Sequence, residues 1–90
     1  MLVVWDEAKA IGNLKKHGVD FAEAVRVLDD PNSLVFEDFR HSEQRFVTVG
    51  LSNKDHLLFV VSCYRGEDQI RIISARHVTP AERILYEERV

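Results

Sequence analysis

Gln69-Ile-Arg-Ile-Ile-Ser-Ala-Arg-His-Val-Thr-Pro-Ala-Glu-Arg-Ile-Leu-Tyr86 changes period halfway along, and that change decides the fold. From Ile70 to Ala75 the residues are rich in β-branched side chains and apolar on both sides of a pleat, as in a central strand. From Thr79 the pattern turns helical. Thr79 suits an N-cap, Pro80 the first helical position, and Glu82 completes a capping box. Ala81, Ile84 and Leu85 would form the apolar stripe of that helix. Two cations, Arg71 and Arg76, interrupt the strand, and strict alternation sends them to opposite faces. A cation on a buried strand must reach water, an acid or an anionic ligand, because an unpaired buried charge is costly.

Moving outward, Arg45–Leu51 and His56–Arg65 read as two further strands, with a weaker one at Ser33–Glu37. The turn-like links Ser52-Asn-Lys-Asp55 and Gly66-Glu-Asp68 are short enough to make the strands they join antiparallel. With these turns Arg45 opposes Cys63, Cys63 opposes Arg71, and Glu43 lies beside Arg65. One face then holds Val47, Val49, Leu51, Leu57, Phe59, Val61, Ile73 and Ala75, with Arg45, Arg65, Arg71 and Glu43 at its end. The other face is mixed, with Thr48, Gly50, His56, Ser62, Tyr64, Ser74 and Arg76 among Phe46, Leu58, Val60, Ile70 and Ile72. Gly50 within a strand signals a bulge or the close approach of another element.

At the other end of the chain, Leu2–Trp5 reads as an opening strand. Asp6 caps a helix from Glu7 to about His17, with Gly18 as its stop. Ala8, Ala10, Ile11 and Leu14 define its apolar side, while Lys9, Asn13 and Lys16 point away. Asp20 caps a second helix, in which Phe21, Ala24, Val25 and Leu28 recur at helical spacing. The expected order is β-α-α-β-β-β-β-α. This is an α+β fold: an antiparallel meander with an N-terminal αα-hairpin and a C-terminal helix, forming a single domain over residues 1–90.

Composition agrees. The chain is 46% hydrophobic and 30% charged, which is globular rather than disordered. No run reaches the ~18 apolar residues of a membrane span, so no membrane association is expected and the cytoplasm is the default location. Cys63, the single cysteine, sits in an apolar run and reads as a buried, inert thiol. No cysteine or histidine pair has zinc-ligand spacing, and no cofactor is implied. The net charge of −3 is unevenly spread: Arg40 to His77 carries +2, leaving −5 for the remainder. A cationic sheet among acidic helices can face a polyanion, although ordinary charge scatter explains the same counts.

Arginines at a sheet's rim suit phosphate, because guanidinium forks bind it in bidentate fashion and neutralise charge that builds on it during transfer. Phe39-Arg-His-Ser-Glu-Gln-Arg45 adds His41 and Glu43 at the same end. Histidine titrates near neutrality, at about 6.5 when unperturbed, and a carboxylate serves as base or orienting group. RNA cleavage by its own 2′-hydroxyl needs only a base, an acid and a positive clamp. The plainer alternative makes Glu43–Arg65 a surface ion pair and His41 a solvated loop residue. His17, His56 and His77 read as helix-end, turn and strand-end residues. Tyr64 suits either base stacking or a cross-strand aromatic pair.

Two separated motifs also resemble a known family. Trp5-Asp6-x-x-Lys9-Ala10-x-x-Asn13-x-x-Lys16-His17-Gly18-Val19-x-Phe21-x-Glu23-Ala24 is similar to the opening signature of the BrnT bacterial toxins. Arg71-Ile-Ile-Ser-Ala-Arg76, then Thr79-x-x-Glu82-Arg83 and Tyr86, resembles its closing signature. The resemblance implies a type II toxin-antitoxin toxin with a fold like the RelE ribonucleases and metal-independent RNA cleavage that inhibits translation. It also implies a ribbon-helix-helix antitoxin of BrnA type as partner, with operator DNA bound through that antitoxin. It ties Lys9, Arg65 and Arg76 to toxicity, and less directly His41, Glu43 and Arg45. The residues taken together make Arg65, Arg76, His41 and Glu43 the catalytic candidates and Lys9, Arg45 and Arg71 the RNA-binding ones. The rival reading is a non-catalytic module that docks an antitoxin and tunes operator binding, or an inactive relative.

Overall fold

A computed structural model describes residues 2–88. The order is β1 (Leu2–Val4), α1 (Glu7–His17), α2 (Phe21–Val27), β2 (Leu34–Asp38), β3 (Arg45–Leu51), β4 (Leu57–Arg65), β5 (Gln69–His77) and α3 (Pro80–Glu88). The strands form one five-stranded sheet, β1-β5-β4-β3-β2. The meander from β2 to β5 is antiparallel as expected, while β1 pairs with β5 in parallel, Leu2 opposite Gln69 and Val4 opposite Arg71.

Local chemistry sets the helix ends. The side chains of Asp6 and Asp20 accept hydrogen bonds from the amides of Ala8 and Ala22. Gly18 stops α1 at a φ of 71°, a left-handed conformation that glycine adopts without strain. The capping box of α3 is formed: the Thr79 amide donates to Glu82 Oε1 at 2.8 Å, and the Glu82 amide donates to Thr79 Oγ1 at 3.2 Å.

The core lies between the αα-hairpin and one face of the sheet. Val19, Phe21, Ala24 and Val27 meet Leu58, Val60, Ile72 and Ala75 there, with Trp5 edge-on to Phe21. The opposite face buries Val47, Val49, Leu57 and Cys63. Gly50 marks a close approach: a Cβ there would stand 3.0 Å from Val27 Cγ1 and 3.1 Å from Asp30 Oδ2.

Three expectations are corrected. First, alternation breaks on β5. Ser62 pairs with Ile72 and Val61 with Ser74, so Ile73 is an inserted residue. Beyond it every side chain changes face. Ala75 joins the hairpin core opposite Val60, and Arg76, opposite Phe59, turns to the same face as Arg71. Second, α1 turns Asn13 inward. Its amide nitrogen donates to the carbonyls of Val19 and Ala75, and its Oδ1 accepts from the Ala75 amide. Ile11 and Leu14, expected on the buried side, are 54% and 50% exposed. Third, α3 buries none of its residues, and Ile84 and Leu85 stay exposed. It is held by polar contacts instead, Arg76–Glu82 near its start and Tyr86 Oη donating to Asp30 Oδ2 at 2.6 Å near its end.

Candidate functional site

The arginine cluster forms where β3 begins, β4 ends and β5 begins. Cys63 pairs with both Arg45 and Arg71, so those two guanidiniums flank it on the face away from the hairpin. Two residues further along β4, Arg65 points the same way. Glu43, in the loop before β3, joins the group. Its Oε1 accepts from Arg45 at 2.9 Å and stands 4.0 Å from the Arg71 guanidinium. The Arg45 hydrogen bond is the main cause holding the Glu43 carboxyl below its ordinary pKa, with the charges of Arg71 and Arg65 adding to it. Glu43 therefore pairs along its own chain with Arg45, where pairing with Arg65 was expected. Arg65 is exposed, and its side chain makes no hydrogen bond or ion pair among the described residues.

His41 approaches from β2, its Nε2 3.6 Å from Asp38 Oδ2. Asp38 opposes Arg45 across the β2–β3 ladder, which puts this loop beside the cluster. Arg40 grips the same carboxylate in bidentate fashion, Nε to Oδ1 and Nη2 to Oδ2, both at 2.8 Å. That grip holds Asp38 well below the usual carboxylate range. The Asp38–Arg40 clamp was not foreseen. Its only trace in the sequence is an acid and a base two residues apart at a strand end.

Two candidates stand elsewhere. Arg76 is engaged by Glu82, with Nη1–Oε1 at 2.8 Å and Nη2–Oε2 at 2.9 Å, and it stacks 4.0 Å over the Phe59 ring. Burial would lower its pKa, but the Glu82 hydrogen bonds dominate and raise it. Arg76 opposes Phe59 and Arg65 opposes Gln69, six residues further along β4 and therefore about 20 Å away at about 3.3 Å per residue. Lys9 sits on α1, which packs on the hairpin side of the sheet through Ala10, and is exposed there.

A second polar group at the far end of the sheet went unnoticed in the sequence. Buried Glu23 accepts from Ser52 Oγ at 2.6 Å and contacts His56 Nδ1 at 2.9 Å, and the His56 ring meets His77 edge-on. Burial pushes the Glu23 carboxyl up, while its hydrogen bonds to Ser52 and His56 outweigh this and hold it below its ordinary value. Among the described residues no group of three or more His, Cys, Asp or Glu has the arrangement to hold a metal ion. Among the described residues no helix is long and apolar enough to cross a membrane.

A mostly antiparallel sheet, a helical hairpin packed on one face and guanidiniums gathered at the end of the other, defines a small α+β domain. Residues 5–82 match the model of the family described as the ribonuclease toxin, BrnT, of type II toxin-antitoxin systems, and the chain belongs to that family. Its structure is similar to the crystal structure of the Brucella abortus ribonuclease toxin BrnT. The TM-score is 0.70 at 27% sequence identity, covering 88% of this chain and 99% of that one. No curated protein matches the chain. Membership of a type II toxin family implies an antitoxin partner.

Proposed function

We propose that this chain cleaves RNA without a metal, at the sheet end lined by Arg45, Arg65 and Arg71. The observation that carries the reading is Arg65: an exposed guanidinium without an ion pair among the described residues, on one face with two others that share a single carboxylate. In this reading Arg65 and Arg71 clamp the scissile phosphate while Arg45 grips the backbone. Glu43, ionised, accepts the proton of the attacking 2′-hydroxyl. The 2′-oxygen bonds to phosphorus, the bond to the 5′-oxygen breaks, and His41, as general acid, supplies that oxygen with a proton. Arg76 serves to hold α3, and Lys9, on the opposite layer, touches only RNA that flanks the cleaved bond.

The finer family expectations belong to the same proposal. Cleavage in the cytoplasm halts translation, the antitoxin is of ribbon-helix-helix type, and the pair represses its operon through DNA that the antitoxin holds. Incubation of the purified protein with RNA in EDTA tests the core of it. Fragments are expected, with Arg65→Ala slower by about 100-fold or more at unchanged circular dichroism. Intact RNA at high protein concentration, with the antitoxin shown to be absent, overturns it. The rival non-catalytic reading draws on Glu43 already engaging two of the arginines. It predicts that wild type and Arg65→Ala are equally harmless when expressed.

A further inference from the structure

The arginine cluster has a back. Arg45, Arg65 and Arg71 alternate along their strands with Phe46, Tyr64 and Ile70, whose side chains lie on the other side of the sheet. There, beyond the end of α2 at Leu28, an open cleft of about 230 Å³ is walled by Phe46, Tyr64 and Ile70 and floored by Thr48 and Ser62. The Phe46 and Tyr64 rings meet edge to face, with centroids 5.0 Å apart, and Tyr64 remains 51% exposed. Thr48 and Ser62 are each only 4% exposed, yet neither hydroxyl has a hydrogen-bond partner among the described residues, and neither is sealed from the cleft. Buried hydroxyls normally find partners, so two left open on the floor of an aromatic cleft await a ligand with polar edges.

We propose that this cleft receives one unstacked nucleobase of the same RNA strand whose phosphate meets the arginines, an inference that rests on the nuclease reading above. A base presents a flat π-face to Phe46 and Tyr64. It presents donors and acceptors to two hydroxyls that can both give and take hydrogen bonds. An aliphatic side chain of a protein partner would fill the apolar walls and leave both hydroxyls unpaired. Cleft and cluster lie on the two sides of the same strand ends, so a short stretch of extended single strand rounding the rim of the sheet joins them. The substrate class is therefore single-stranded RNA with a base free to swing out, and the cleft sets preference for a base beside the cut.

Non-cleavable 2′-O-methyl oligonucleotides separate binding from chemistry. Fluorescence anisotropy on base-bearing and abasic versions is expected to show tighter binding of the former by wild type. Thr48→Val with Ser62→Ala should weaken the base-bearing oligonucleotide about tenfold and leave the abasic one unchanged, since two hydrogen bonds are lost and no charge. Photo-crosslinking of a 4-thiouridine oligonucleotide to the unaltered protein, mapped by mass spectrometry, should mark Phe46 or Tyr64 without relying on any variant. Equal binding of both oligonucleotides, or crosslinks confined to other strands, overturns the cleft. So does a double variant that binds RNA normally but loses affinity for the antitoxin. If wild type discriminates the base yet leaves RNA uncut in EDTA, the cleft stands and the nuclease reading falls. If it cuts RNA but the double variant is unaltered, the reverse holds.

Discussion

Arg65 and Arg76 are the same side chain put to different uses by one inserted residue. Without Ile73, Arg76 would have joined the hairpin side and met the core. With it, the guanidinium reaches Glu82 and lies over Phe59. A bidentate, partly buried pair of this kind is a structural strap, and removing one partner leaves the other without its hydrogen bonds. Arg76→Ala is therefore expected to cost about 1–3 kcal/mol, lowering the thermal midpoint by several degrees. Arg65→Ala should stay within about 0.5 kcal/mol of wild type, because its exposed side chain holds no partner among the described residues. A melting curve for each variant decides it. Equal melting of the two would mean that the strap holds nothing, and that any loss of activity in Arg76→Ala must be read as chemistry.

At the scale of elements, hydrophobic pattern and turn length made most of the fold legible. The Gly66-Glu-Asp68 turn set the β4–β5 register correctly from Arg65 as far as Ser62, which is why the opposition of Arg45, Cys63 and Arg71 could be read in advance. The bulge could not be read. Ile72 and Ile73 are both apolar and β-branched, so periodicity carries no mark of which one is extra. The error in α1 has a different cause. Asn13 looks like a surface residue until β5 places the Ala75 amide and carbonyl opposite it, and only tertiary structure reveals that partner. Asn13→Leu should cost about 2–4 kcal/mol, since it strands backbone groups of Val19 and Ala75 away from water. Leu14→Gln, on the exposed side, should cost little. Gly50 makes the matching case between α2 and β3. Gly50→Ala puts a methyl 3.0 Å from Val27 Cγ1 and 3.2 Å from Ser33 Cβ, an overpacking expected to cost about 1–3 kcal/mol by denaturant unfolding.

Across the whole molecule, the sheet end away from the arginine cluster is fastened on each face by an ionised carboxylate with a lowered pKa. Glu23 ties α2 to the β3–β4 turn through Ser52 and His56, and Glu82 ties α3 to β5 through Arg76. Burial would raise Glu23, but its hydrogen bonds prevail; for Glu82 the Arg76 hydrogen bond is itself the largest influence and lowers it. A carboxylate whose folded pKa lies below its unfolded value stabilises fully above that unfolded value, here 4.5. The contribution is then lost as pH falls through the folded value. Stability from these two groups should accordingly be level above about pH 5 and decline from about pH 4.5 downward. Replacing both, as Glu23→Gln with Glu82→Gln, should lower the thermal midpoint at pH 7 and flatten the acid limb, because the proton uptake that drives it is gone. Scanning calorimetry between pH 7 and pH 3 reads both effects. An acid limb as steep in the double variant as in wild type would place the titrating groups elsewhere, with Asp38 and Glu43, whose pKa values are also lowered, the next to replace.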